Sequence, residues 1–323
     1  MTISDVAKIA GVDPSTVSRV LNSPSPNHQY APATVRKIRV AADRLGYRPS
    51  RTAQALRTGK TFNLGLLVAD IGNPFWGELA ARIERLARAE NYRLLVCNTD
   101  ESPTHQADLL ADLSQHGVDG LIVAPCGAEG LHELVATPTP VVTIDREVTG
   151  LRLPHIGLDD LAAGRLLGAH LRARGYGHVG IILPSAEHDP SLRTRAVGLA
   201  EAVAVMWESA PEPTELRDRL RCSPQPDTLV GLNNTATLAA LEAITELALP
   251  VPGAIGLTGI DDFVAARFSR PAITVVAQPL AEIAGEALRI LLDQIADPEK
   301  KPPLRRLVPP ALLERDSLRP ATT

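Results

Sequence analysis

Aromatic residues are scarce in this chain of 323 residues: four Phe, four Tyr and two Trp, or 3% of the total. Cysteine is scarcer still. Cys97, Cys126 and Cys222 are scattered and odd in number, which excludes a disulfide framework and a CxxC metal pattern. The neighbours of Cys97 in RLLVCN and of Cys126 in LIVAPC are strand-like, so both read as ordinary buried thiols. No apolar run approaches the ~20 residues needed to cross a bilayer, and no membrane partner is expected. The opening MTISDVAKIAG lacks the basic start and apolar stretch of a secretory signal, which points to the cytoplasm. There is no GxSxG, no HExxH and no GxxxxGK[ST] loop. The eight histidines lie singly, and His170 in LLGAHL reads as a packed helix residue. Asp261-Asp262 has no third metal ligand near it in sequence, and a helix N-terminus is the commoner role for such a pair. No catalytic residue, metal or cofactor is therefore expected.

What is present suits a multi-unit globular chain. Hydrophobic residues make up 45% and charged residues 22%, enough for a core, and the length calls for two or three compact units. The net charge of −4 hides an asymmetry. Residues 1–60 carry ten basic side chains against three acidic ones, a net of +7, while the remainder carries −11. A basic head on an acidic body suggests that the head alone meets a polyanion.

Within that head, Thr2 can cap a helix whose apolar face is Ile3, Val6, Ala7 and Ala10, with Asp5 bonding back. Gly11 ends this helix, where positive φ costs little. Asp13 then caps a second helix with Pro14 at its first position. Val17, Val20 and Leu21 turn inward, while Ser15, Ser18, Arg19 and Asn22 form an outward stripe. Two short helices joined by a glycine turn make a helix-turn-helix candidate. Small side chains let a backbone approach phosphate, and arginine pairs bidentately with a guanine edge. A third helix over Pro32–Leu45, with Val35, Ile38, Ala42 and Leu45 inward, can close a three-helix core.

From Asn63 onward, strand-like runs (LGLLVAD, RLLVCNTD, GLIVAP, VVTIDR, HIGLD, HVGIILP, TLVGLNN, AIGLTGIDD, ITVVAQ) alternate with helix-length segments. This alternation predicts an α/β body with parallel sheets covered on both faces, and about ten strands suit two lobes better than one sheet. Asp70, Asn98, Asp145, Asn233 and Asp261 all follow a strand. Each alone reads as a helix cap. As a set they predict one polar-ligand crevice outside the strand ends.

TISDVAKIAGVDPSTVSRVLN and LGYRPSRTAQALRTGKT resemble the N-terminal signature and hinge of the LacI/GalR family of transcription regulators. The likeness continues through DIGNPFWGEL, VVTIDR, IGLDDLAAGRLLGAHLRARGYGHVGII, RAVGL, LVGLNN, LTGIDD and VVAQPL. It implies a three-helix DNA-binding domain over 1–48 and a hinge helix and linker over 49–60. A two-lobed body resembling periplasmic binding proteins follows over 61–323. Lobe one takes about 61–157 and 280–307, and lobe two about 158–279 and 308–319.

By position, Pro14, Ser15 and Arg19 match residues that read bases, with Pro14 limited to apolar contact or shape. Thr16, Ser18 and Asn22 match phosphate contacts. Leu56 matches the hinge wedge that kinks the duplex from the minor groove, and Ala53 the small residue beside it. Effector contacts map to Phe75, Trp76, Asp145, Arg146, Arg195, Asn233, Asp261 and Gln278, a set suited to a sugar or similar polyol.

The sequence departs from the family pattern in several places. The loop between helices two and three is about three residues longer. Asn234 stands where an acid often follows the asparagine. The stretch from Gly198 to Asn233 is about ten residues shorter, at the place of an aromatic lid for which Trp207 is a candidate unless it is buried. The chain end LLERDSLRPATT has no heptads, so a homodimer is expected rather than a tetramer. The expected function is ligand-responsive repression of sugar or related metabolism genes at a near-palindromic operator in double-stranded DNA. The alternatives are a sugar-binding protein or a sugar-modifying enzyme without DNA function.

Overall fold

The computed structural model describes residues 1–22, 30–48, 59–115, 117–184, 189–222 and 224–320. The chain divides into two compact units, Met1–Phe62 and Asn63–Thr323. None of its described helices is long and apolar enough to cross a membrane.

The first unit holds α1 (Ile3–Ala10), α2 (Pro14–Asn22) and α3 (Pro32–Arg44). The α1 cap is reciprocal: Thr2 N donates to Asp5 Oδ2 at 2.8 Å, and Asp5 N donates to Thr2 Oγ1 at 3.3 Å. Gly11 adopts φ 66°, which lets the chain turn within three residues into α2. There Ser15 N donates to Asp13 Oδ1 at 2.7 Å. Val6, Val17 and Ile38 are fully buried, one from each helix, and Val20, Ala41 and Ala42 complete the core around them.

The second unit is built on two six-stranded sheets. β1 (Asn63–Val68), α4 (Pro74–Ala89), β2 (Arg93–Asn98), α5 (Pro103–Gln115), β3 (Gly120–Val123), α6 (Leu131–Val135), β4 (Val141–Ile144) and β5 (His155–Leu158) form most of the first lobe. The chain then crosses into α7 (Asp160–Ala173), β6 (His178–Ile182), α8 (Pro190–Ala200), β7 (Ala204–Ser209) and α9 (Pro213–Arg221). The second lobe continues with β8 (Thr228–Gly231), α10 (Asn234–Glu246), β9 (Gly256–Ile260), α11 (Val264–Phe268) and β10 (Thr274–Ala277). It crosses back for α12 (Leu280–Ala296) and β11 (Arg305–Val308), and ends on the second sheet with β12 (Ala311–Leu313).

The strand orders are β11-β5-β4-β3-β1-β2 and β12-β10-β9-β8-β6-β7. Every pairing is parallel except β10 with β12. Parallel strands need cover on both faces, which is why β3, β4, β5 and β8 read as uninterrupted buried runs.

Helices α7 and α8 touch backbone to backbone. A Cβ at Gly164 would lie 2.1 Å from the Arg195 carbonyl oxygen, and one at Gly198 2.4 Å from that of Leu161. These two glycines bring α8, and with it the Arg195 side chain, down onto the second lobe. The LAAGRLLG and RAVGL segments are thus one packing contact seen from its two sides.

Candidate functional site

On α2, Pro14, Ser15 and Arg19 are exposed, and Thr16 and Ser18 are half-buried beside the buried Val17. Of the expected stripe, Ser15 and Arg19 therefore lie on the outer face of the second helix, with Ser18 at its margin. Asn22 ends α2, and its side chain lies outside the described residues, as do Ala53, Leu56 and most of the 23–33 loop.

In the second unit, a cavity of about 340 Å³ opens between the carboxyl ends of the two sheets. It is lined by all eight residues expected there: Phe75, Trp76, Asp145, Arg146, Arg195, Asn233, Asp261 and Gln278. The convergence follows from topology. Asp145 follows β4, Asn233 follows β8, Asp261 follows β9 and Gln278 follows β10, so each stands at a strand's carboxyl end. Asp145 and Asp261 adopt φ 63° and 79°, turning the chain sharply as it leaves its strand. Phe75 and Trp76 open α4 and stack edge to face, centroids 4.8 Å apart.

Asn234, singled out in the sequence, lines the cavity too, and several further lining residues were not anticipated: Asn73, Glu101 and Asp189. Glu101 chelates Arg146, accepting from Nη1 at 2.5 Å and from Nη2 at 2.7 Å. Arg146 Nε makes no hydrogen bond, but it faces Asp189 Oδ2 at 3.3 Å across the cleft and Asp145 Oδ2 at 3.7 Å. Burial works against the Arg146 charge. The bonds to Glu101, followed by Asp189 and Asp145, more than restore it, and the guanidinium stays protonated.

Arg195 is 3% exposed. Its Nε donates to Asp160 Oδ1 at 2.7 Å and its Nη1 to the Leu232 carbonyl at 2.9 Å. Asp145 is pushed up to about 7, chiefly by burial and then by the like charge of Asp189, against the pull of Arg146 and Arg195. Burial also raises Asp160 and Asp261, with Arg195 opposing it in both. Asp261 Oδ1 accepts from Gln278 Nε2 at 2.8 Å, and Asp261 Oδ2 accepts from Asn234 N at 3.2 Å. The other amide atom, Gln278 Oε1, is buried without a partner.

Asn234 explains its own departure from the family pattern. Its Nδ2 donates to Asn73 Oδ1 at 2.6 Å, and Asn73 Nδ2 donates back at 3.3 Å. This amide pair joins the N-terminus of α4 in one lobe to that of α10 in the other. An aspartate at 234 would lose one of these bonds and add a further carboxylate beside Asp261.

Some strand-end residues serve the fold alone. Asn98 accepts from Ile71 N at 2.8 Å and does not line the cavity. Asn233 does both, capping α10 through Ala236 N at 2.9 Å while lining the cavity. Asp262 pairs with Arg315 at 2.7 Å and Arg267 at 2.8 Å instead of capping a helix. Trp207 is not part of the cleft. From β7 it packs over Gly180 of the neighbouring β6, with Arg219 above its ring at 5.5 Å, so the shortened 198–233 stretch supplies no described aromatic lid. His170 is a packed helix residue, 3.9 Å from Glu314. Cys126 is buried and Cys97 half-buried, whereas Cys222 is exposed.

Family models match nearly the whole chain. Residues 2–50 match bacterial regulatory proteins of the lacI family. Residues 61–212 match the periplasmic binding proteins and sugar-binding domain of the LacI family, and 169–318 a periplasmic binding protein-like domain. The transcriptional regulator PtxS of Pseudomonas plecoglossicida is 32% identical over 317 residues, covering 95% of this chain and 92% of the relative. The sucrose operon repressor of Pediococcus pentosaceus is 31% identical over 308 residues, covering 91% and 92%. In fold, the chain resembles the Lac repressor dimer bound to operator and the anti-inducer ONPF, with a TM-score of 0.85 and 22% identity over 99% of both chains. The relatives are regulators and repressors rather than enzymes, and this chain belongs to the lacI family of bacterial regulatory proteins.

Proposed function

We propose that the chain is a cytoplasmic repressor that grips a near-palindromic operator as a homodimer and changes that grip when a small polar molecule enters its cleft. One observation carries the reading: a single chain joins outward polar residues on a helix-turn-helix to a cavity where eight polar and aromatic residues converge from six places in the sequence. At the DNA, Pro14, Ser15 and Arg19 face bases, and Thr16, Ser18 and Asn22 hold phosphates. Ala53 and Leu56 form the minor-groove wedge. At the cleft, the effector is a sugar or sugar derivative. Related folds hold such molecules: a CelR–cellobiose complex and a ribose-bound regulator from Enterococcus faecium. A volume of about 340 Å³ suits a molecule of monosaccharide size, because drug-sized ligands occupy pockets of roughly 300–1,000 Å³.

Dimerisation has its own support in exposed apolar groups. Edge strand β2 leaves Leu95 and Val96 at 41% and 38% exposure, and α11 leaves Val264 and Phe268 at 65% and 72%. Isolated apolar residues are ordinary on a surface, but paired ones on an edge strand and on one helix face suit a partner copy.

The test is at Arg19. Its bidentate pairing with a base is worth roughly 1–3 kcal/mol of discrimination. Arg19→Ala is expected to weaken binding to an operator selected from genomic fragments by about 10-fold or more, while binding to random DNA changes little. Both affinities are measured at one salt concentration. Equal losses on the two DNAs would assign Arg19 to phosphate contact.

A further inference from the structure

If the cleft is the effector site proposed above, its charge says what kind of molecule it takes. Five carboxylates line it (Asp70, Glu101, Asp145, Asp189 and Asp261) against two guanidiniums, Arg146 and Arg195. Both guanidiniums are already engaged. Glu101 occupies both terminal nitrogens of Arg146, and Asp160, just behind the cleft, takes Arg195 Nε. With these two pairs neutral, four lining carboxylates remain: Asp70 is exposed to solvent, Asp145 and Asp189 share only the Nε edge of Arg146, at 3.7 and 3.3 Å, and Asp261 has no ion pair among the described residues. The last three come from different elements: the β4 end in one lobe, and the N-terminus of α8 and the β9 end in the other. They meet only at the cavity. The second sign is independent of charge. Gln278 is 9% exposed, its amide nitrogen is bound to Asp261, and its Oε1 accepts no hydrogen bond. The residue lines the cavity, and a donor brought to Oε1 as the lobes close on a ligand would satisfy it.

Three carboxylates and an orphan acceptor call for a ligand that brings both N–H donors and positive charge. Among the described residues, no group of three or more acids, histidines or cysteines is arranged to hold a metal ion. An ammonium group supplies both at once. We infer that the cleft selects a polyol bearing an ammonium group, such as an amino sugar, over its neutral or acidic counterpart. An ammonium presents three donors and no acceptor. Closing the lobes over it replaces water around Asp145, Asp189 and Asp261 with a compensating charge. A neutral polyol closes the same cleft around unpaired carboxylates, and a sugar acid adds another like charge to them.

The test is a matched series read by calorimetric titration of the full-length protein at pH 7: glucosamine, glucose and glucuronate; galactosamine, galactose and galacturonate; glucamine, sorbitol and gluconate. In at least one set the amine is expected to bind about tenfold or more tightly than its hydroxyl counterpart, and the acid not at all. Asp189→Asn, which keeps a side-chain oxygen able to cap α8, is expected to shrink the amine preference at least threefold. A neutral or acidic member binding tightest, or silence from all nine, overturns the inference. Tight binding of a neutral sugar that is lost in Asp261→Asn would overturn the charge selection and leave the effector site standing. Binding that is indifferent to Asp261→Asn and Asp189→Asn alike would remove the effector site itself.

Discussion

Replacing Arg195 with alanine is expected to cost the unliganded protein about 3–5 kcal/mol of stability and to abolish its response to ligand. From sequence alone this arginine is a ligand contact, dispensable until ligand arrives. Its surroundings change that expectation. The side chain is 3% exposed, bonded at 2.7 Å to Asp160 and at 2.9 Å to the carbonyl of Leu232. Its charge also opposes the desolvation of Asp145 and Asp261. Truncation leaves Asp160 without its partner, Asp261 without its main positive field, Asp145 with Arg146 alone, and a backbone carbonyl unpaired. Removing one member of a buried ion pair costs more than the pair itself contributes, because the remaining charge is stranded. For a body of this size each kcal/mol corresponds to roughly 2–4 °C, so a fall of roughly 10 °C in Tm is expected. Operator affinity, measured well below the new Tm, is expected to change little, since no part of the helix-turn-helix is touched. An unchanged Tm together with a lost ligand response would restore the simpler view of Arg195 as a ligand contact alone.

The contrast between Arg195 and its neighbours shows which parts of the site the sequence exposes. Gln278 is reached only through the family resemblance, but Asp145, Asn233 and Asp261 each follow an apolar strand. A reader who knows that open α/β sheets bind ligand at strand ends can pick them out. The helix-turn-helix is equally open, because its caps, its glycine and its apolar spacing are all local. What escapes is whatever depends on pairing across the chain. Glu101 meets Arg146 from 45 positions away, and Asn73 meets Asn234 from 161. No periodicity within either segment announces the other. The strands β7, β11 and β12 escape for a different reason. All three are edge strands, partly exposed, and the last two are only four and three residues long. β11 and β12 leave no continuous apolar run to notice, and the run AVAVMW at 202–207 around β7 gives way at once to the charged ESAPEPTELRDRL. Trp207 sits on such a strand, which is why the sequence could not decide between a lid and a wall. Its ring covers Gly180, where any side chain would collide with it.

Asp145 sets the second large effect, which is read against pH. Its carboxyl titrates near 7 in the folded protein against 3.8 as a free side chain, because burial and the charge of Asp189 outweigh Arg146 and Arg195. Between those values the native state holds a proton that the unfolded chain has lost, so stability falls as pH rises, by up to ~1.4 kcal/mol per unit. Below pH 4 the group contributes no slope, and above about pH 7 the full penalty has accrued. Asp160 and Asp261, raised by the same burial, act in the same direction. His155 acts in the opposite one. Burial lowers it to about 4 from 6.5, so the unfolded chain gains a proton first as pH falls, and that contribution rises with pH across 4–6.5. The two slopes overlap, and the wild-type curve alone cannot separate them. The comparison with Asp145→Asn does, because it removes one and leaves the other. Relative to wild type, the variant is expected to gain a few kcal/mol of stability between pH 5 and 8, most of it below pH 7.5. Urea denaturation at half-unit steps of pH reads this difference directly. A variant that is less stable than wild type at pH 8 would mean that the ionised Asp145 is a net asset to the cleft, held there by Arg146 and Arg195 more strongly than its burial and Asp189 oppose it.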